Sequence, residues 1–456
     1  MEQPGMTTEN TVLLSDPIII DASSAFLLLI TIFVFLLPLF IYFPPVPPSQ
    51  RDALLETHSP LGRKKAARKE EFQDASLAVK KNIGGRIRGL WIYPVKSCKG
   101  IEVSESKVLP TGLEFDRLYT FAQLKSPFPV GVNSSEEAKQ AHAWEFITQR
   151  QFPLLATVQV DLFVPDILKS RGNPSKLADA FLLVSFPWRE PGLRGALGWL
   201  AAKMARGWRA RPEKEFVLPV AFPAQAEIEA RGYTHERITI WKDTVTALNM
   251  ETELPRELQR YLGVSNRLGI FRIDPARLRE VHRCAPAKAE AGYQPVTGFQ
   301  DAYPLHLLSL PSVRDFDAKI IKDDAFRVLD PRRFRANIIV DGGDTPYDEE
   351  SWKKIRLLPP PASKRGASTF HVSCRTVRCK MPNVDQDSGD RHPVEPDRSL
   401  RKFRNVDEGA KSNGCLGMQL TPLFDRTDSP SELESWVVVG AAVEVLERGE
   451  HMYIKQ

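Results

Sequence analysis

Between Ala22 and Phe43 the chain runs for 22 residues without one charged side chain. A stretch of that kind has few places to go. At ~1.5 Å of rise per residue, a helix of about 20 residues crosses the ~30 Å hydrocarbon core of a bilayer. Pro38 would bend such a helix but is tolerated in a membrane. Tyr42 suits an interface, and the Pro-Pro-Val-Pro-Pro run at 44–48 ends the helix. A cleaved secretory leader needs a basic start and a small-residue cleavage site. Here Glu2, Glu9, Asp16 and Asp21 precede the run, with no Lys or Arg. The expectation is therefore one uncleaved transmembrane helix over 22–43. Arg51, Arg63, Lys64, Lys65, Arg68 and Lys69 all follow it, which orients the large C-terminal portion toward the cytosol.

With 456 residues there is chain enough for two or three domains. A net charge of +5, without a basic platform interleaved with aromatics, argues against nucleic acid as a partner. The cysteines are Cys98, Cys284, Cys374, Cys379 and Cys415. An odd, sparse set fits a reducing compartment better than a disulfide scaffold, and with no C-x-x-C pair a zinc site is not expected. There is no Gly-rich dinucleotide loop, P-loop, H-E-x-x-H motif or internal repeat. The chain is not expected to bind its own flavin or nicotinamide, nor an iron–sulfur cluster.

Around the apolar run lie an acidic tail (1–21) and a Pro-rich, then basic, linker (44–85). Residues 63–80 of that linker read either as a short helix near anionic lipid or as a solvated spacer. From Gly85 the pattern turns β-like. Arg86–Tyr93 alternates, Val103–Val108, Leu118–Leu124 and Leu154–Leu162 follow, and Ile238–Leu248 reads as a hairpin around Lys242-Asp243. Short strands at this spacing predict a small barrel or sandwich. Later segments predict a helix over Glu253–Leu262, strands over Leu268–Asp274 and Asn337–Asp341, and a buried final strand pair over Trp436–Leu446. The fold class is mainly β with some α (α+β). Within 163–233, Leu193, Leu197, Leu200, Met204 and Trp208 share one helical face, and Arg194, Lys203, Arg206 and Arg209 interleave. That face either packs on the barrel or lies on a membrane surface.

Chemistry concentrates at Arg375-Thr-Val-Arg-Cys-Lys-Met-Pro-Asn-Val-Asp-Gln-Asp-Ser-Gly389. Cys379 stands between Arg378 and Lys380, and nearby positive charge favours the thiolate that ligates metals or attacks electrophiles. Asp385 and Asp387 either orient a substrate or close the turn that follows. Three other stretches belong with it: Trp91-Ile-Tyr-Pro-Val-Lys-Ser-Cys-Lys-Gly100 with Gly112-Leu-Glu-Phe-Asp-Arg-Leu-Tyr119, then Asp301-Ala-Tyr-Pro304, then Phe334-Arg-Ala-Asn-Ile338. In this order and spacing the set resembles the MOSC family, in particular its membrane-anchored, amidoxime-reducing branch. The resemblance covers roughly residues 86–160 and 235–450.

The resemblance implies a MOSC N-terminal β-barrel domain over 86–250, with 163–233 as an insertion, and a MOSC domain over 251–456. It implies a molybdenum cofactor. A soft thiolate at Cys379 suits the metal, and cations and hydroxyls at Lys96, Ser97, Arg117 and Arg335 suit the pterin phosphate. Asp301 and Asn337 suit the pterin ring. At the matching positions of the family the cysteine is the metal ligand and catalytic residue. The Lys-Ser pair and the Arg and Asn positions contact the cofactor. The implied activity is reduction of N-hydroxylated compounds such as amidoximes and hydroxylamines, with electrons from cytochrome b5 and cytochrome b5 reductase. The implied location is the mitochondrial outer membrane, with the endoplasmic reticulum as the alternative. Two other readings remain: sulfur transfer through a Cys379 persulfide, and a non-catalytic, membrane-tethered carrier of the cofactor. The family also carries an association with pyridoxal phosphate, although this chain shows no separate domain for it. Two positions depart from the animal proteins. Val377 stands where a small hydroxyl residue is common, and Ala302-Tyr303 replaces a Thr-Ser pair.

Overall fold

The computed structural model describes residues 21–42, 49–62, 85–127, alternate positions from 131 to 139, and residues 141–169, 179–208, 210–343, 345–424 and 433–454. The tail before Asp21, the proline run 44–48 and the basic stretch 63–80 lie outside them. The chain forms two compact units: Met1–Pro48 with Glu190–Ala210, and Ser49–Arg189 with Arg211–Gln456.

The larger unit is mainly β, with two closed sheets. Five strands form a small barrel in the order Thr234–Ile240, Asp243–Asn249, Leu268–Ile273, Tyr119–Lys125 and Ala143–Phe146. The last pairs in parallel with the first. Alternation drives its assembly: Ile238 and Ile240, then Val245 and Ala247, pack together with Trp144, Phe271 and Phe299, while Leu248 and Ile270, on the opposite face, enter the neighbouring core. The second sheet has eight strands, in the order Ile338–Asp341, Leu305–Ser309, Cys415–Leu423, Ser368–Val377, Trp352–Leu358, Ala442–Arg448, Arg86–Ile92 and Ile101–Val103. Arg86–Ile92 also pairs antiparallel with Ile338–Asp341, so this sheet closes on itself. Strands from both halves of the sequence therefore interleave. Leu268–Ile273 completes the first barrel, and Arg86–Ile92 completes the second.

Several expectations are revised. Residues 49–62 fold: a helix Gln50–Leu55 starts at Ser49, whose hydroxyl accepts from the Asp52 N–H (3.2 Å) while Asp52 accepts from the Ser49 N–H (3.1 Å). The strand His58–Leu61 then pairs with Gln159–Pro165. Most of 163–233 also joins the larger unit. Phe181–Pro187 and Glu213–Pro219 continue that same sheet, and Leu182, Val184, Phe186, Phe216 and Leu218 enter its main core. The excursion shrinks to 190–210, above a hairpin neck where the Trp188 N–H donates to Pro212 O (3.1 Å). The final strands do not pair with each other. Ser435–Val438 joins Glu105–Leu109, and Ala442–Arg448 joins Trp352–Leu358.

The apolar run is helical over Ala22–Tyr42, with exposed side chains from Phe26 to Leu36. Among the described residues no helix is long and apolar enough to cross a membrane, so the expected span is not supported.

Candidate active site

Because Arg86–Ile92 and Ile338–Asp341 run antiparallel, the loop leaving one and the loop entering the other emerge at the same end. The Trp91 N–H donates to Asn337 O (2.8 Å). The Asn337 side-chain amide donates to Trp91 O (3.1 Å) and accepts from the His306 N–H (3.2 Å). These bonds hold Tyr93–Ser97 beside Arg335–Asn337. The Cys379 loop is tied to the same place, since the Arg378 guanidinium donates to Phe334 O (2.9 Å).

Between these segments lies a cavity of about 860 Å³, lined by Lys96, Ser97, Arg117, Asp301, Arg335, Asn337 and Cys379 among others. Every candidate site residue read from the sequence reaches it. Cys379 is half-buried and free. Four non-glycine residues on this cavity take left-handed backbone: Ser97 (φ 67°), Arg117 (φ 51°), Trp241 (φ 58°) and Arg335 (φ 52°). Each costs roughly 1–2 kcal/mol, and such strain gathers where a site must hold its shape.

The cations divide into two kinds. Lys96 is bound to the Asp301 carboxylate (2.6 Å) and donates to Phe299 O (2.7 Å). Burial pushes the Lys96 ammonium down to about 8, against the pull of Asp301. Asp301 is itself exposed on the cavity, and the Lys96 charge and hydrogen bond, with the Trp241 indole N–H (3.1 Å), hold its carboxylate well below the usual carboxylate range. Arg117 is paired with Asp116 (2.6 Å). Lys96 and Arg117 are thus already neutralised.

Arg335 and Arg378 differ. Both are buried, at 4% and 7% exposure, and among the described residues neither has a carboxylate partner. Arg335 donates to Cys98 O (2.6 Å) and lies 4.2 Å from the Tyr93 ring centroid, with Arg117 at 4.5 Å. Burial pushes both Arg335 and Arg378 down to about 10. Arg335 Nη2, Arg378 Nε and Thr376 Oγ1 are buried around the cavity with no hydrogen-bond partner among the described residues. Groups in that state cost stability unless a ligand satisfies them. The donor set fits an anionic ligand carrying several acceptors and a metal that accepts sulfur, which is the chemistry of a molybdenum–pterin group.

Asn337 spends much of its amide on Trp91 and His306. Asp385 and Asp387 close the turn: Asp385 accepts from the Asp387 N–H (3.0 Å) and pairs with Arg333 (2.6 Å), and Asp387 pairs with Arg332 (2.6 Å). The hydroxyl absent at Val377 is offered one residue earlier by Thr376. Sequence reading missed Thr376, used Arg378 only as a charge beside the thiol, and missed the Gln149–Gln386 amide pair (2.9 and 3.2 Å) behind Arg335. It also missed Trp241, although a bulky aromatic in a two-residue hairpin turn that favours Gly or Asn was a readable signal.

Residues 84–179 match the MOSC N-terminal beta barrel domain, and residues 294–444 match the MOSC domain. Mitochondrial amidoxime reducing component 2 of Rattus norvegicus is 24% identical over 340 residues, covering 75% of this chain and 77% of that protein. Mitochondrial amidoxime-reducing component 1 of Homo sapiens is 23% identical over 325 residues, covering 71% and 73%. A molybdenum cofactor sulfurase of Arabidopsis thaliana is 28% identical over 143 residues, covering 30% of this chain and 15% of the sulfurase. Neither these matches nor the cavity lends support to pyridoxal phosphate.

Proposed function

We propose a reaction for this chain, which belongs to the MOSC family and resembles the mitochondrial amidoxime reducing components: molybdenum-cofactor-dependent reduction of N-hydroxylated compounds such as amidoximes and hydroxylamines. The observation that carries it is the pair of buried, carboxylate-free guanidiniums, Arg335 and Arg378, in one cavity with the half-buried thiol of Cys379. When bound, the cofactor supplies two-electron redox and oxygen-transfer chemistry. The protein's residues do the rest. Cys379 offers the soft ligand. Arg335 and Arg378 offer charge and donors to a phosphate. Lys96 and Arg117, held by Asp301 and Asp116, fix the two loops that carry Ser97 and Tyr93. Trp241, 45% exposed on the cavity, presents a flat face for an apolar substrate body.

Electrons from cytochrome b5 and cytochrome b5 reductase complete the scheme, because the sequence carries no flavin, nicotinamide or iron–sulfur motif. Attachment to a membrane through the exposed apolar helix Ala22–Tyr42, at the mitochondrial outer membrane or the endoplasmic reticulum, would keep all three on one surface and raise their effective concentration. Carbonate extraction of fractionated membranes checks this.

The decisive experiment measures molybdenum and pterin content, then reduction of a model amidoxime with the two electron donors, for the parent and for Cys379→Ala. The parent is expected to carry both and turn over; the variant is expected to lose turnover. A folded parent with neither metal nor pterin overturns the proposal. The sulfurase match favours a second reading, sulfur transfer at Cys379. A stable persulfide found there by mass spectrometry, without amidoxime reduction, would decide for it. Cofactor bound with Cys379 intact, but no turnover of any kind, would leave a carrier.

A further inference from the structure

We infer that the helix Gly192–Arg206 and the tryptophan after it form a lateral contact with an anionic phospholipid surface. Four observations meet here. The helix lies outside the larger unit. Leu193, Leu200 and Met204 fall on one stripe at about 100° per residue, and they are 85%, 49% and 73% exposed. Trp199 and Trp208 are 40% and 80% exposed, and the Lys203 ammonium sits 4.9 and 4.8 Å from their ring centroids. The segment 191–212 contains Arg194, Lys203, Arg206, Arg209 and Arg211 and no acidic residue.

Each feature selects against the alternatives. An apolar stripe meant for the protein's own core would be buried, as the flanking strands are. A solvated helix would not present leucine, methionine and two tryptophans to water. A protein partner would be matched by mixed charge, whereas this segment is cationic throughout. Tryptophan prefers the boundary between hydrocarbon and water, and lysine reaches from there to headgroup phosphate. Apolar stripe, tryptophan and unbroken positive charge together are the composition of a helix lying in the interface plane. Its neck, Trp188 to Pro212, joins it directly to two core strands.

The test uses the full chain reconstituted with vesicles of brominated phosphatidylcholine, with or without phosphatidylserine. The readout is tryptophan fluorescence, taken as the difference between the parent and W199F/W208F. On anionic vesicles the bromine atoms are expected to quench a component that the double variant lacks. Substituting K203E or R206E is expected to shift the surface-bound fraction about fivefold per charge removed. On neutral vesicles that quenching is expected to be weaker. Trp91, Trp144 and Trp352, buried in the larger unit, report that each variant is folded. Equal quenching of parent and W199F/W208F on anionic vesicles overturns the inference and points to a protein partner or a second copy. Equal quenching on neutral and anionic vesicles also overturns it, because the charge would then play no part. Cofactor content is read on the same samples and does not enter either outcome.

Discussion

Arg335 and Arg378 are expensive to keep. Each is a buried cation with no paired carboxylate among the described residues, so the fold bears their desolvation until an anion arrives. Arg378→Met should therefore stabilise cofactor-free protein by about 1–3 kcal/mol and at the same time lower its molybdenum content. Denaturant melts of apoprotein beside metal analysis of the purified variant read both; a variant that is less stable and still fully loaded contradicts the assignment. Lys96 gives a pH signature. Its ammonium, lowered by burial to about 8, loses its proton as pH rises through that value. The Asp301 carboxylate then stands unneutralised beside the bound anion, so cofactor retention should fall above about pH 8. Lys96→Arg stays charged and should remove that fall. Dialysis of loaded protein across pH, followed by pterin fluorescence, measures it. The residues visible from the sequence were those inside linear motifs: Lys96, Ser97, Arg117, Asp301, Arg335, Asn337 and Cys379. What made Arg378 and Thr376 important was the absence of a partner, and Gln386 matters only through a residue far away in the chain. Partnership is a property of three-dimensional packing, and residue type does not encode it.

Among the elements, strands that alternate and end at clear turns were legible. Leu268–Ile273 appears where the pattern puts it, and the hairpin of Thr234–Ile240 with Asp243–Asn249 is found too, though it starts at Thr234 rather than Ile238 and turns at Trp241-Lys242 rather than Lys242-Asp243. Ser368–Val377, ten residues that lead into Cys379, was not, because Thr376 and Val377 invert the polar–apolar alternation at its end. The two strands inside the stretch read as an insertion, 163–233, were hidden for a related reason. Phe181–Pro187 and Glu213–Pro219 read as foreign to the family pattern, yet their apolar faces belong to the shared core. The hairpin neck makes a clean test. Replacing 190–210 by a short Asn-Gly turn should leave the melting temperature of the larger unit within about 2 °C of the parent and its cofactor content unchanged. A large loss of either would show that the segment supports the fold.

For the molecule as a whole, the order of strands matters more than their number. A split at residue 250 looks natural along the chain but cuts both closed sheets. A fragment 251–456 lacks Arg86–Ile92 and should be insoluble or molten when expressed alone. Co-expression with 49–250 should restore a soluble complex, and size-exclusion chromatography with near-ultraviolet circular dichroism distinguishes the outcomes. Architecture of this kind was legible as a class, short strands in small barrels, but not as a wiring diagram, since periodicity tells which face a strand buries and not which neighbour it takes. The closure of the second sheet by Arg86–Ile92 against Ile338–Asp341 and Ala442 also dictates a history. A ribosome releases that strand early, followed at once by Ile101–Val103 on one edge, but the strands that close the sheet emerge far later, so for most of translation the nascent polypeptide carries a hydrophobic ribbon with one unsatisfied edge. Chaperone shelter during elongation, more than the equilibrium free energy of the finished fold, should then limit how much of this protein a cell accumulates.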